Sequence, residues 1–264
     1  MTGAARERLD PVVWQALKAR ASAPPAHPRA PLWLAQAQIG SIEPGLARSM
    51  AATTLPIAAT AAGWRVAADP AVDRDPDAAL ARIAQWLHRE GFGSAWRDEL
   101  LAVTDAAGTP RARIERAAVR PLGIATRAVH LVGRTAAGGV WVQQRAFDKA
   151  TDPGLWDTLM GGLQAAGESD AQTLVRETWE EAGLRIAELR ELRAAGRVLV
   201  RRPVADGYMI EHIEVFAATL PEGLMPCNRD GEVARFECLD RAALHARIEQ
   251  GRFTLEAALI LCDQ

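Results

Sequence analysis

Residues 161–184 read GGLQAAGESDAQTLVRETWEEAGL, and the fold of the chain turns on this stretch. Ser169 is a favourable N-cap, and Gln172 three residues later completes a capping box. Asp170 lies at the positive end of the helix dipole, and Gly183 supplies the left-handed stop. The stretch therefore predicts a helix from Asp170 to Ala182. At roughly 100° per residue, Ala171, Leu174, Val175, Thr178 and Ala182 share an arc that faces a core. Glu177, Glu180 and Glu181 share the adjoining arc, with Arg176 beside them.

Carboxylates three or four residues apart on a helix lie about 5–6 Å from one another. At an effective dielectric of about 20, each such pair costs roughly 3 kcal/mol. A solvated acidic face is the bland reading. It accounts neither for the Gly162-x5-Glu168 prelude nor for the arginine four residues before Glu180. A hard divalent cation explains the cluster better, because Mg²⁺ takes oxygen ligands and keeps several of its waters.

The spacing resembles the Nudix box, G-x5-E-x7-R-E-U-x-E-E-x-G-U with U aliphatic. Gly162, Glu168, Arg176, Glu177, Glu180, Glu181, Gly183 and Leu184 match. Thr178 stands where an aliphatic residue is usual, a departure that touches packing rather than chemistry. Seven matched Gly, Glu and Arg positions at ordinary usage arise by chance in about one chain per million. The resemblance implies an α/β/α sandwich with a mixed sheet and Mg²⁺-dependent hydrolysis of a diphosphate bond, with Mn²⁺ able to substitute. Glu177, Glu180 and Glu181 are then the metal ligands, joined by the backbone carbonyl of Gly161, because the family uses the residue before the box. Arg176 lies within reach of Glu168 and Glu180 and holds the carboxylates in place. Glu180 or Glu181 is a candidate base, and Glu232 in DGEV is the preferred extra carboxylate, against its plainer reading as a strand-edge charge.

The 264 residues allow one large domain or two modest ones. A hydrophobic fraction of 49% is ample for a core, and a net charge of −2 argues against a nucleic-acid-coating or membrane-surface protein. Cys227, Cys238 and Cys262 are odd in number and lack metal spacing, which fits a reducing, cytoplasmic setting. Residues 1–10 lack the apolar run of a signal peptide, and no stretch approaches 18 continuous apolar residues. Residues 8–21 read as a helix, and Ala21–Pro31 as a Pro-rich linker, the segment best suited to disorder. Asp75 to Glu90 predicts a helix with a Leu80, Ile83, Ala84, Leu87 stripe. The expected organisation is 1–31 helix and linker, 32–120 an N-terminal α+β accessory domain, and 121–264 the hydrolase domain.

A second resemblance lies in WLHREGFGSAWRDELLAV, IERAAVRPLGI and RDGEVARFECL. These phrases resemble the Nudix subgroup whose N-terminal extension accompanies thiamine-pyrophosphokinase-like proteins. That resemblance implies a small aromatic diphosphate as partner, specifically oxidised, damaged thiamine diphosphate cut to the monophosphate. Arg145 and Lys149 are candidate phosphate contacts, as is Arg127. Trp156 offers a stacking face, although packing under its loop is an equal reading, and Trp179 reads as core. Three alternatives stand: a generic hydrolase of nucleoside-diphosphate derivatives, a Nudix-fold binding or regulatory protein without turnover, and an isopentenyl-diphosphate isomerase. All box carboxylates are retained, which disfavours the second. The cysteine and histidine arrangement of the third is not apparent. A homodimer is compatible with the sequence.

Overall fold

The computed structural model describes residues 9–66 and 75–262. The first residue of the helix expected at 8–21 lies outside them. The chain begins with helix α1, Pro11–Ala21. Asp10 caps it by accepting from the Val12 amide at 2.8 Å, and Pro11 occupies the first turn, where no N–H is missed.

Residues 30–115 form a layer with its own core. Strands β1 (Ala30–Leu34) and β2 (Ala37–Ile42), helix α2 (Pro44–Ala51), strands β3 (Ile57–Thr60) and β4 (Gly63–Val66) and helix α3 (Pro76–Arg89) follow in order. The hairpin β5 (Leu100–Thr104) and β6 (Pro110–Glu115) closes this region. The four early strands make one sheet in the order β2-β1-β4-β3. The apolar stripe of α3 is buried at Leu80, Ile83, Ala84 and Leu87, as its periodicity predicts. These residues pack with Leu32, Ile42, Met50 and the hairpin residues Leu101 and Ile114.

The second half is built on a mixed sheet. It comprises β7 (Thr126–Arg134), β8 (Val140–Arg145), β9 (Trp156–Asp157), β10 (Met160–Leu163), β11 (Arg190–Val204), β12 (Gly207–Thr219) and β13 (Val233–Leu239). The spine of the sheet runs β11-β12-β7-β8-β13, with β12 and β7 parallel. Strands β7 and β8 pair only at Gly133–Trp141 and Arg134–Val140. Beyond that point they diverge: β10 takes the free edge of β7, from Met160–Leu131 to Leu163–Ala128, and β9 takes that of β8. The sheet is split, and the split leads into the cavity described below.

Helix α4 (Asp170–Ala182) covers one face through Leu174 and Ala182 against Val129, Leu131 and Met160. Helices α5 (Arg241–Glu249) and α6 (Leu255–Cys262), together with α1, cover the other. This is the expected α/β/α sandwich. Helix α1 belongs to it: Leu17 and Ala21 are buried in the same cluster as Leu259 and Leu261. Burying a leucine contributes about 1.5–3 kcal/mol, so α1 is an integral part of this half. Among the described residues no helix is long and apolar enough to cross a membrane.

The Pro-rich stretch after α1 corrects the expectation of a disordered linker. Ser22 bridges to Arg201, and the Tyr208 hydroxyl donates to the Ala23 carbonyl at 3.0 Å. Arg29 donates to the carbonyls of Ser41 (2.5 Å) and Pro121 (2.6 Å). An extended segment has no internal hydrogen bonds and must find partners elsewhere; here distant side chains supply them. The hairpin also reaches the second half: Leu101 bridges to Ala165, and the Ala166 amide donates to Leu100 O at 2.8 Å. The first half thus holds the loop that leads into α4.

Candidate active site

The local build begins at α4. Ser169 and Gln172 form both bonds of the capping box, and Gly183 ends the helix at φ 64°. The helix is rotated relative to the simple periodic expectation. Thr173, Leu174, Thr178, Glu181 and Ala182 are buried, whereas Ala171 and Val175 are exposed. The reason is Glu181, drawn inward by two donors. Gly161 N–H donates to its Oε2 at 3.0 Å and Gln143 Nε2 at 2.9 Å.

Two glycines of β10 are required by close approach. A Cβ on Gly162 would stand 2.0 Å from the Glu177 carboxyl carbon, and one on Gly161 would stand 2.5 Å from the His130 ring. Strand β10 is therefore pressed between α4 and His130, whose Nδ1 lies 2.9 Å from the Thr158 hydroxyl. Burial holds the proton affinity of His130 below its ordinary value, against the pull of Asp157.

Arg176 is the clamp of the box. It donates to Glu168 at 2.7 and 2.8 Å, to the Leu163 carbonyl at 3.1 Å, to Glu177 at 2.7 Å and to Glu180 at 3.2 Å. Glu168 also accepts from the Thr173 hydroxyl at 2.9 Å. The Arg176 hydrogen bonds outweigh burial and bring the Glu168 carboxyl down to about 2. The other box carboxyls go the opposite way. Burial pushes Glu177 up to about 7, with Arg176 opposing, and Glu181 up to about 8, with Glu177 adding to the rise. The three carboxylates are thus unequal: Glu181 lies in the core, Glu177 is half-buried, and Glu180 stands outermost against Arg176.

Among the described residues no three acidic, histidine or cysteine groups are gathered in ligating positions, because Arg176 occupies Glu177 and Glu180. The donor set nonetheless suits a hard cation. Two buried carboxyls that hold protons near neutrality, a third at the rim and the Gly161 carbonyl offer oxygen alone, and a cation would ionise the buried pair.

Glu177, Glu181 and Gly161 face a cavity of about 160 Å³. It brings together Gly161, Glu177, Glu181, Glu232, Arg145 and Lys149 from the sequence reading. Arg145 is tied to the Thr151 carbonyl and lies 3.5 Å from Asp157, while Lys149 pairs with Glu232. Burial raises the Glu232 carboxyl, but the Lys149 bond and the Arg116 and Arg145 charges win, and the net shift is downward. Glu180, Arg176 and Glu168 stand behind this wall rather than on it.

Trp156 requires correction. It is 1% exposed, lies against Phe253 and Gln144, and has the guanidinium groups of Arg247 and Arg235 at 4.6 and 5.2 Å from its ring. It presents no face to the cavity, because β9 inserts it under the split sheet. Trp179, expected in the core, is 36% exposed, with Arg229 stacked 4.0 Å from its ring. Arg127 reaches Asp170 at 3.3 Å, away from the cavity.

The remaining cavity wall escaped the sequence reading. Arg97, Arg116 and Arg120 come from the first half of the chain and the segment after it, and Glu211, Arg202 and Glu256 from β12, β11 and α6. Glu256 had a legible signal: it is the only charge in LEAALILC, an otherwise apolar helix. Nothing local marks the others, whose neighbours are distant in sequence.

Comparison with known proteins agrees with this geometry. The NUDIX domain family matches residues 124–259. Nudix hydrolase 20, chloroplastic, of Arabidopsis thaliana is 31% identical over 196 residues, covering 72% of this chain and 52% of that protein. Nudix hydrolase 24, chloroplastic, of the same plant is 30% identical over 192 residues, covering 70% and 52%. An isopentenyl-diphosphate Delta-isomerase of Rhodobacter capsulatus is 36% identical over 124 residues, covering 46% and 68%. The chain spans about half the length of the two plant relatives. Both plant alignments are longer than the matched domain and so run beyond it. With its box helix capped, clamped by Arg176 and set over a charged cavity, the chain belongs to the Nudix family.

Proposed function

We propose that this protein is a Mg²⁺-dependent hydrolase of the diphosphate bond in a small molecule, with oxidised thiamine diphosphate as the preferred substrate type. One observation carries the reading. Glu177, which Arg176 holds at 2.7 Å, and the buried Glu181 share a cavity with Arg145, Lys149 and Arg116. Carboxylates on one side invite a cation, and cationic side chains on the other invite phosphate oxygens. Bound Mg²⁺ supplies the charge that screens the phosphoryl oxygens. Lys149 and Arg116 orient the diphosphate. Glu232, kept ionised by Lys149, takes the proton of the attacking water as the bridging P–O bond breaks and a monophosphate leaves. Arg176 and Glu168 fix the helix that carries the carboxylates and touch no reacting atom.

Support for the thiamine type comes from the phrases WRDE, IERA and DGEV. Among the described residues lining the cavity there is no cysteine, so the similarity to an isomerase brings no matching chemistry with it. The deciding experiment compares kcat/KM for oxidised and intact thiamine diphosphate, ADP-ribose and a nucleoside triphosphate under the same Mg²⁺. The oxidised thiamine compound is expected to lead. A tenfold or greater lead for ADP-ribose or the triphosphate, about 1.4 kcal/mol of transition-state binding, would discard the thiamine type.

A further inference from the structure

We propose that Glu211 and Glu256 form the head-group end of the cavity, where they recognise a nitrogen heterocycle bearing an amino group. The inference rests on the diphosphate-hydrolase reading and deepens it, since the box says nothing about what the diphosphate carries.

Three observations carry it. Glu256 is 8% exposed and lines the cavity, yet its Oε1 accepts no hydrogen bond; the nearest cation is Arg202, at 3.5 Å. Arg202 is shared with Asp152 at 3.8 Å, and its own Nε is also without a partner. Position in the first turn of α6 favours a carboxylate only weakly, and much less than burying one with an oxygen short of a hydrogen bond costs. Next, Glu211 faces the same cavity and has the Thr126 hydroxyl at 3.2 Å. Burial, then the charge of Glu256, pushes its carboxyl up to about 7. The cations beside it, Arg120 and Arg116, also pair with Asp206 at 3.4 Å and Glu99 at 2.7 Å, and their charges lower the Glu211 carboxyl less than burial raises it. Finally, Glu211 also borders an adjoining cavity of about 50 Å³, where Val119, Ile124, Leu163 and Met209 supply apolar surface beside Arg97, Arg116 and Arg120. That space suits a flat ring, and it lies between the two halves of the chain.

Glu211, with its carboxyl pushed up to about 7, offers an O–H donor when it holds its proton, and the two residues together offer several acceptor oxygens. An amino group beside a ring nitrogen presents the complementary donor and acceptor. A head group without N–H donors, such as an isoprenoid chain, leaves both carboxyls unpaired and is rejected on that account.

The test uses phosphate-free alcohols on the metal-free full chain, so that turnover plays no part. Isothermal titration compares thiamine with its analogue carrying a ring carbonyl in place of the amino group, and adenosine with inosine, the same exchange on a nucleoside. The parent chain should favour the amino member of a pair by at least about tenfold. Glu256→Gln and Glu211→Gln should each shrink that ratio to within about threefold. Discrimination with the adenosine pair alone would sustain the head-group assignment and overturn the thiamine type. Equal binding within both pairs, or an undiminished ratio in whichever variants fold, would overturn the assignment itself.

Discussion

The two walls of the cavity hold buried charge in opposite ways. Behind the box wall the guanidinium of Arg176 makes five hydrogen bonds, reaching Glu168, Glu177, Glu180 and the Leu163 carbonyl. On the far wall Glu256 keeps an oxygen unsatisfied, and Arg202 keeps a nitrogen so. The first is a closed network assembled within one loop and helix. The second is an open one, assembled from β11, β12, α6 and the segment after β6. A closed network fixes geometry for chemistry that is common to many substrates. An open one keeps bonding capacity for a particular ligand, at a cost in stability for the free protein.

The largest effect that can break this contrast lies on the box wall. Glu181→Gln should lower turnover by at least about 100-fold, because an amide cannot balance a cation. Glu180→Gln should also lose orders of magnitude, although Glu180 is far more exposed. Glu181→Gln should melt no lower than the parent at pH 8, since it removes a buried carboxyl whose ionised form the fold disfavours. Phosphate release with Mg²⁺ and thermal melts measure both quantities. Parental turnover in both variants would remove the metal-cage reading.

The same contrast explains what was legible in the sequence. The box could be read because its contacts fall at helical spacings, so sequence distance stands for spatial distance. Arg176 and Glu168 were assigned their support role from spacing, and the structure joins them. The rotation of α4 was not legible: Val175 fits the apolar arc, but the donors on Gly161 and Gln143, encoded elsewhere, draw Glu181 in. Trp156 misled because aromatic character identifies a stacking surface without saying which side of a sheet it occupies. Arg97, Arg116 and Glu211 are ordinary surface-type residues until β5, β6 and β12 bring them together. Helix α1 was recognised as a helix, but its partner α6 lies at the other end of the chain.

A smaller effect tests how far the closed network stabilises the fold. Glu168 sits at about 2 against an ordinary 4.5. A lowered carboxyl contributes stability above its unfolded value and loses it as pH falls through the folded one. The stabilisation, reduced by solvent screening at a partly exposed ion pair, is present at pH 5 and above. Glu168→Gln should therefore unfold at lower denaturant than the parent at pH 7. The gap should narrow from pH 4.5 downward and nearly close near pH 2. A gap that stays constant across that range would show that Arg176 gains nothing from the charge of Glu168.

The smallest expected effect concerns the first half of the chain and what it lends to the site. Arg116 is 41% exposed at its side chain and is held by Glu99, so it sits in a well-screened position. Its charge still reaches Glu211 and Glu232 across the cavity. Arg116→Ala should raise KM for a diphosphate about three- to tenfold, worth about 0.6–1.4 kcal/mol, and leave kcat within about twofold. That split follows if Arg116 meets phosphate oxygens equally in the ground and transition states. Added salt should raise the parent KM more steeply than that of the variant, because one screened contact is already gone. A fall in kcat at constant KM would move Arg116 from binding to chemistry. An unchanged KM with a parallel salt dependence would leave the first half as a scaffold for the box loop, acting through the Leu101–Ala165 bridge and the Leu100 carbonyl alone.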